Sequence, residues 1–466
     1  MNPTAALATL TATITCTLAE PRIGNERYRP RYHFTAEHGY INDPNGLFFL
    51  DGTYHLFFQH DGIHEKSWGH ATSTDLLHWK HLPDALAPRN GKPVFSGSAA
   101  IDHHNTTGFG TRENPPVVAC FTEWGLGQSL AYSLDKGASW IRYDGNPVLT
   151  RPNDDKAKFR LSSRDPHIMW DEARKRWVLV MFDNLSGKTD TERGDHRHGF
   201  SIFTSPDLKD WTYRSHLDGF YVCPDIMKLP IEGEDSSSWV AMDWDQYAVG
   251  DFDGERFVPT QAITPLDFGP EQVRSANQSW KHLPDGRTIQ ICWIRGGNYP
   301  GMPFDQQLGF PTELSLRRIN DQLHLCKQPI RELRKLHDRT SRLGRRSLAK
   351  GESATLASSS QSHDFEIELV LDGGDRLQLE VLGKKIILEP RGINCDGHQA
   401  KPAAPLTHLR LLSDITSLEI FGNHGEVTLS YHLLPPEKPG GITLSALEGR
   451  PGIKKAELRE VRSIWR

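Results

Sequence analysis

Ser73-Thr74-Asp75-Leu76-Leu77-His78-Trp79 follows a short segment of strand character, Ala71–Ser73, and sets a serine and an aspartate two residues apart ahead of a tryptophan. The arrangement returns at Ser133-Leu134-Asp135, ending in Trp140, and at Ser205-Pro206-Asp207, ending in Trp211, at separations of 60 and 72 residues. Serine and aspartate side chains bond to nearby backbone and so favour turns. Each copy again follows a strand-like segment, Leu130–Ser133 or Phe200–Ser205. The expected local structure is one hairpin turn, used three times, that buries its tryptophan. A period near 60 residues with about four short strands per unit points to propeller blades, and about 290 residues would hold about five. The competing account is three unrelated turns that happen to end in tryptophan.

Outward from these turns, Arg31 to Arg318 reads as short strands bounded by Gly, Pro, Asn and Asp, among them Thr53–Phe58, Val117–Phe121, Trp177–Phe182 and Thr288–Trp293. After Leu323 the texture changes. A short helical stretch, Pro329–Leu336, leads into a basic, Ser-rich linker, Arg339–Lys350. Period-2 segments such as Asp364–Leu371, Arg376–Leu382 and Ser417–Phe421 follow and indicate a second all-β domain, a sandwich. The expected class is all-β: a five-bladed β-propeller followed by a C-terminal β-sandwich. The expected boundaries are an N-terminal extension over 1–30, the propeller over 31–325, a linker with a short helix over 326–350, and the sandwich over 351–466.

Composition narrows the function. Of 466 residues 37% are hydrophobic and 24% charged, and the net charge of -5 offers no basic field to a polyanion and no polybasic stretch to a membrane surface. No apolar run approaches the ~18 residues that span a bilayer. Nucleic acid and membrane are therefore not expected partners. The six cysteines (16, 120, 223, 292, 326 and 395) are scattered without a CxxC pair, so neither a zinc site nor a dense disulfide framework is expected. The first 20 residues lack any Lys or Arg and fit a secretory signal poorly. Secreted, periplasmic and cytoplasmic placement all stay open.

The most unusual block is Tyr40-Ile41-Asn42-Asp43-Pro44-Asn45-Gly46. Alone, Asp-Pro-Asn-Gly is a good β-turn. Its company argues for more: Phe57-Phe58-Gln59-His60, Trp68-Gly69-His70-Ala71 and Phe95-Ser96-Gly97-Ser98 interleave aromatic rings with amides and hydroxyls. Such a mixture suits a sugar, whose faces stack on rings while its hydroxyls need directed hydrogen bonds. Arg164-Asp165-Pro166 adds a second carboxylate. A neighbouring arginine would keep Asp165 ionised, which suits an electrostatic stabiliser and disqualifies it as a proton donor near neutral pH; the alternative is a surface ion pair before a turn.

In order and spacing, these blocks with Cys223-Pro224-Asp225, Arg295-Gly296-Gly297-Asn298-Tyr299-Pro300-Gly301 and Phe310-Pro311-Thr312-Glu313 resemble glycoside hydrolase family 32, and its levanase and exo-inulinase branch in particular. The resemblance runs from about Tyr32 to the C-terminus, since Leu418-Glu419-Ile420-Phe421-Gly422 matches the terminal sandwich. It implies retaining enzymes that cleave β-fructofuranosides such as sucrose, inulin and levan without metal or cofactor. Carried over, it makes Asp43 the nucleophile on the anomeric carbon of fructose and Asp165 the stabiliser of the oxocarbenium-like transition state. Asn42, Gln59, Trp68, Phe95, Ser98, Arg164, Cys223 and Asp225 match positions of the fructose subsite. A retaining mechanism also needs a carboxyl ~5 Å from the nucleophile that first protonates the leaving oxygen and then activates water.

Two departures stand out. The family's acid/base is the Glu of Glu-Cys-Pro-Asp, and here that position is Val222, which moves no proton. General acid–base assistance is worth ~10²–10⁴-fold. In Val273-Arg274-Ser275-Ala276-Asn277-Gln278, Arg274 and Ser275 replace an aromatic pair, and if this segment lines the funnel-shaped site that the resemblance implies at the propeller axis, a cation has entered as an anion has left. Asp225, Glu271, Asp243 and His167 are weak surrogates for the missing glutamate. Two readings compete: a β-fructofuranosidase, slowed or using another acid, and a catalytically impaired relative that binds fructan or another glycan.

Overall fold

The computed structural model describes residues 23–61, 65–150, 163–185, 198–270, 273–358, 363–437 and 440–465. Glu271, Cys16 and the first 22 residues, on which several expectations rest, lie outside them. Nearly every element is a strand, with one 3₁₀ helix at Arg331–Leu336. The N-terminal part is a propeller built, among the described residues, from five successive sheets of four or five strands. The first strands of the sheets (Gly39–Leu50, Val94–Ile101, Arg164–Asp171, Asp225–Pro230 and Arg274–Trp280) gather at the centre. Their buried residues and polar cross-links hold them there. Gly97 N–H donates to Asn45 Oδ1 (3.1 Å), Ile168 N–H to Ser98 Oγ (2.8 Å) and Gln278 Nε2 to the Gly97 carbonyl (3.0 Å). Phe304–Asp305, inserted between strands of the last sheet, pairs in parallel with Gly39–Tyr40 of the first.

The repeated serine–aspartate pairs cap the turn between the third and fourth strands of three sheets. Asp75 Oδ1 accepts from the Leu77 and His78 N–H groups, Asp135 Oδ1 from Ser139, and Asp207 Oδ1 from Lys209 and Asp210. Leu76, Lys136 and Leu208 take a positive φ of 63, 61 and 66° within these turns, a local strain that the aspartate caps offset. The three tryptophans are half-buried rather than fully buried. Asp253, capping Glu255 and Arg256, makes a related turn in the fourth sheet without the serine or the tryptophan.

The C-terminal domain is a β-sandwich of a seven-stranded and a six-stranded sheet around an aliphatic core that includes Ile367, Leu379, Ile386, Leu411, Ile420 and Leu444. The expected linker is largely structured. Gln322–Pro329 is the outer strand of the last propeller sheet, and His337–Leu343 pairs with Gly452–Val461 in the sandwich. His337–Leu343 lies at a sheet edge with four of its seven residues exposed, so it lacks the apolar alternation that marks a strand in sequence. The expected N-terminal extension likewise carries a structural anchor: Arg29 is fully buried, stacks over the Phe304 ring at 3.6 Å and bonds to Thr35.

Candidate active site

Asn42-Asp43-Pro44-Asn45-Gly46 is not a turn. It lies inside the inner strand Gly39–Leu50, with register shifts between Ile41 and Pro44 and again between Asn45 and Phe48. Such bulges re-aim side chains. Gly46 has φ 56°, and a Cβ there would meet the Trp68 ring at 2.8 Å, so glycine is required. Asp165 opens the inner strand Arg164–Asp171 with φ 59°, and Cys223, just before Asp225–Pro230, has φ 58°. Left-handed backbone at non-glycine residues is costly, and it converges here on one centre.

Asp43 Oδ2 accepts from Ser96 Oγ at 2.6 Å, and Asp43 Oδ1 accepts from Asn42 Nδ2 at 3.1 Å. Gln59 extends the network: its Nε2 donates to Ser96 Oγ (2.6 Å), and its Oε1 accepts from Asn42 Nδ2 (2.5 Å) and from Lys66 Nζ (2.6 Å). Cys223 Sγ stands 3.7 Å from Asp43 Oδ2 and 3.7 Å from Asp165 Oδ2, so the two carboxylate oxygens are at most twice that distance apart. The Cys223 N–H reaches Asp165 Oδ2 at 3.3 Å, and Asp165 N–H donates to Thr122 Oγ1 at 2.9 Å. Arg164 Nε lies 3.7 Å from Asp165, with its guanidinium over the Phe182 and Tyr221 rings.

Burial and the arginine pull Asp165 in opposite directions. Burial is the largest influence on Asp165 and pushes its carboxyl up to about 6; Arg164 opposes this, and the Asp43 charge adds to it. With its carboxyl near 6, Asp165 stays mostly ionised at neutral pH but takes up its proton well above the ordinary aspartate range.

Several expected subsite residues sit elsewhere. Trp68 is fully buried among Phe57 and Phe121, with its indole N–H on the Phe95 carbonyl, so it is a wall of the site. The Ser98 hydroxyl is spent between strands, donating to the Pro166 carbonyl (3.0 Å) and accepting from Ile168. Ser96 is the hydroxyl at Asp43. Phe95 is half-buried, stacked on Trp124 at 4.3 Å beneath Lys66. Asp225 is fully buried and bonded to Ser279 and Lys281. Lys281 and its neighbour His167 line a cavity of about 370 Å³ that neither Asp43 nor Asp165 borders. Asp243 accepts the Tyr221, Asp245 and Gln246 N–H groups, which gives it a turn-holding job. Val222 is buried.

Arg274 is not in the funnel. Its guanidinium is fully buried and pairs with Glu419 of the sandwich at 2.8 Å. Besides Arg164, the cation facing the carboxylates is Lys66, which sequence reasoning passed over, as it did Ser96, Thr122 and Trp124. Spacing could not choose between serines two apart, and nothing local marks Lys66. Among the described residues one group has metal-like composition, His60, Asp61 and Asp84, with ligand atoms within 4.8 Å of one another. Burial disfavours charge on His60, but the Asp84 carboxylate and the His38 carbonyl outweigh it and bring the ring up to about 9. An imidazolium with both nitrogens occupied is not a ligand.

A carboxylate pair at the centre of a propeller, backed by a sandwich, is the architecture of a glycosidase, and the comparisons agree. The model for the glycosyl hydrolases family 32 N-terminal domain matches residues 33–329, and that for the family 32 C-terminal domain matches residues 389–461. The chain is 30% identical to a levanase of Bacillus subtilis over 98% of its own length and 74% of the relative's. It is also 30% identical to an extracellular exo-inulinase of Aspergillus ficuum, over 95% of this chain and 96% of the other. The crystal structure of exo-inulinase from Aspergillus awamori superposes with a TM-score of 0.82 at 26% identity, covering 95% of this chain and 99% of that one. The chain belongs to glycosyl hydrolase family 32.

Proposed function

We propose that the chain hydrolyses β-fructofuranosides of the levan, inulin or sucrose type by a retaining route, altered by the loss of the glutamate at position 222. The observation that carries this reading is the single thiol, Cys223 Sγ, in contact with both the Asp43 and the Asp165 carboxylates. Asp43, aligned by Ser96 and Asn42, attacks the anomeric carbon. Asp165 faces the same centre and stabilises the positive charge that develops on the ring. Asn42 Oδ1 is buried with no partner among the described residues and is an acceptor for a sugar hydroxyl. Phe95 on Trp124 offers a ring face to the sugar.

The second reading, a glycan-binding relative with little turnover, draws its support from the buried valine at 222. One experiment separates the two: hydrolysis of sucrose, inulin and levan beside β-fructosyl fluoride, by the protein and by Asp43→Ala. Turnover of the natural fructosides that vanishes in Asp43→Ala supports a working fructosidase. Turnover of the fluoride alone leaves a living nucleophile without its acid. No turnover of any donor, with fructan binding retained, favours the second reading.

A further inference from the structure

We propose that Lys66 supplies the proton to the glycosidic leaving oxygen in this site, in place of a carboxylic acid; the proposal rests on the fructofuranosidase reading above. Lys66 immediately precedes the strand Ser67–Ser73 and is half-buried. Its ammonium lies 5.2 Å from the Phe95 ring centroid and donates one hydrogen bond, to Gln59 Oε1 at 2.6 Å. Among the described residues no ion pair joins it to a carboxylate and Gln59 is its hydrogen-bond acceptor, so two of its three N–H donors find no partner there. A desolvated charge is normally paired, and the charges this ammonium faces are those of the two central carboxylates, where a substrate atom would stand. The ionisable groups that face it are Asp43, Asp165, Cys223 and Arg164. Burial lowers its affinity for its proton, and Asp43 and Asp165 partly restore it.

A chain of three bonds, Lys66 to Gln59, Gln59 to Ser96 and Ser96 to Asp43, each 2.6 Å, ties the ammonium to the nucleophile. The other described groups are committed. Asp225 is held by Lys281 and Ser279, and Asp243 by three backbone N–H groups. His167 accepts from Lys281 and is driven neutral by burial. Asp165 is the remaining rival. In the first step an Asp43 oxygen bonds to the anomeric carbon as the carbon–oxygen bond to the leaving group breaks. The electron pair stays with the leaving oxygen, which takes a proton from Lys66. In the second step water attacks the same carbon and gives a proton to the Lys66 amine, and the ester bond breaks, returning its pair to the Asp43 carboxylate. One water is consumed.

The test uses the full chain and two donors, sucrose, which needs a proton, and β-fructosyl fluoride, which does not. Lys66→Met is expected to lower kcat/KM for sucrose by ~10²–10⁴-fold and kcat/KM for the fluoride, which reports the first step alone, by much less. Lys66→Arg is expected not to rescue sucrose turnover, because a guanidinium keeps the charge and does not release its proton. In the unaltered protein the sucrose profile of kcat/KM should hold above pH 6, fall at alkaline pH, and show a limb there that the fluoride kcat/KM profile lacks; this readout stands even if a variant fails to fold. Rescue by arginine would reduce Lys66 to a charge-balancing role and overturn the proposal. So would equal losses on both donors. Sucrose turnover that falls above about pH 6 and ignores Lys66→Met would assign the proton to Asp165 instead. Turnover of the fluoride but never of sucrose would overturn Lys66 as a proton donor while leaving the Asp43 nucleophile of the fructofuranosidase reading standing, whereas inactivity on both donors would remove both.

Discussion

Asp414 and Glu419, at the seam between propeller and sandwich, are fully buried, and so nearly is Asp165 at the propeller's centre, yet the two regions treat their carboxylates in opposite ways. At the seam every charge is answered. His33 bridges the pair, with Nδ1 on Asp414 at 2.8 Å and Nε2 on Glu419 at 2.9 Å. Arg274 adds a 2.8 Å contact to Glu419, and the backbone N–H groups of residues 31 to 33 donate to Asp414. Burial there favours the neutral acids, but these partners outweigh it and hold both carboxyls below their ordinary range. At the centre, burial wins, and Asp165 rises to about 6. Carboxylates that hold domains together are compensated by the protein, and carboxylates left under-compensated await a charge that the protein does not supply. In a glycosidase that charge is the oxocarbenium-like ring.

The contrast can be broken at several points. The largest effect is expected from Val222→Glu introduced into the Lys66→Met variant, which returns a proton-donating carboxyl to the position the family resemblance assigns it and should raise sucrose hydrolysis by ~10²–10⁴-fold. Steady-state kinetics check this, and no gain would mean that the site has drifted beyond one residue. Next comes Arg274→Met, which removes one answer to the buried Glu419 charge. A loss of about 3–5 kcal/mol is expected in denaturant unfolding, as for other buried pairs broken on one side, with kcat in the surviving folded fraction little changed. A large kcat effect would put Arg274 in the site after all.

The two serines give a finer test. Ser96→Ala removes a hydrogen bond to the Asp43 carboxylate worth about 1.5–3 kcal/mol, so kcat/KM should fall by roughly 10–150-fold. Ser98→Ala should cost about 1 kcal/mol of stability instead, and thermal unfolding beside kinetics separates the two outcomes. The smallest expected effect is in pH. In the proposed mechanism Asp165 acts as an anion, so activity should fall as the pH drops through about 6, well above the ordinary aspartate range. A rate that persists to pH 4 would show that the centre is better compensated than its geometry indicates.

The turn chemistry of Ser73-x-Asp75 and its two copies, the strand lengths and the alternation after residue 364 were legible because they depend on neighbours in sequence. Those features determine an all-β chain with a propeller-like repeat and a sandwich, and the motif blocks point to the two carboxylates proposed to act. The fate of each polar residue depended on partners hundreds of positions away. Arg274 meets Glu419, Ser98 is claimed by Pro166 and Ile168, and Lys66 reaches Asp43 through Gln59 and Ser96. The protonation of Asp165 turned on burial, which no dipeptide reveals; Arg164 beside it pointed the other way. Local hydrogen bonding and periodicity are written along the chain, whereas desolvation and charge pairing are properties of the folded volume. Only the tertiary structure decides where a given charge finds, or lacks, its counterpart.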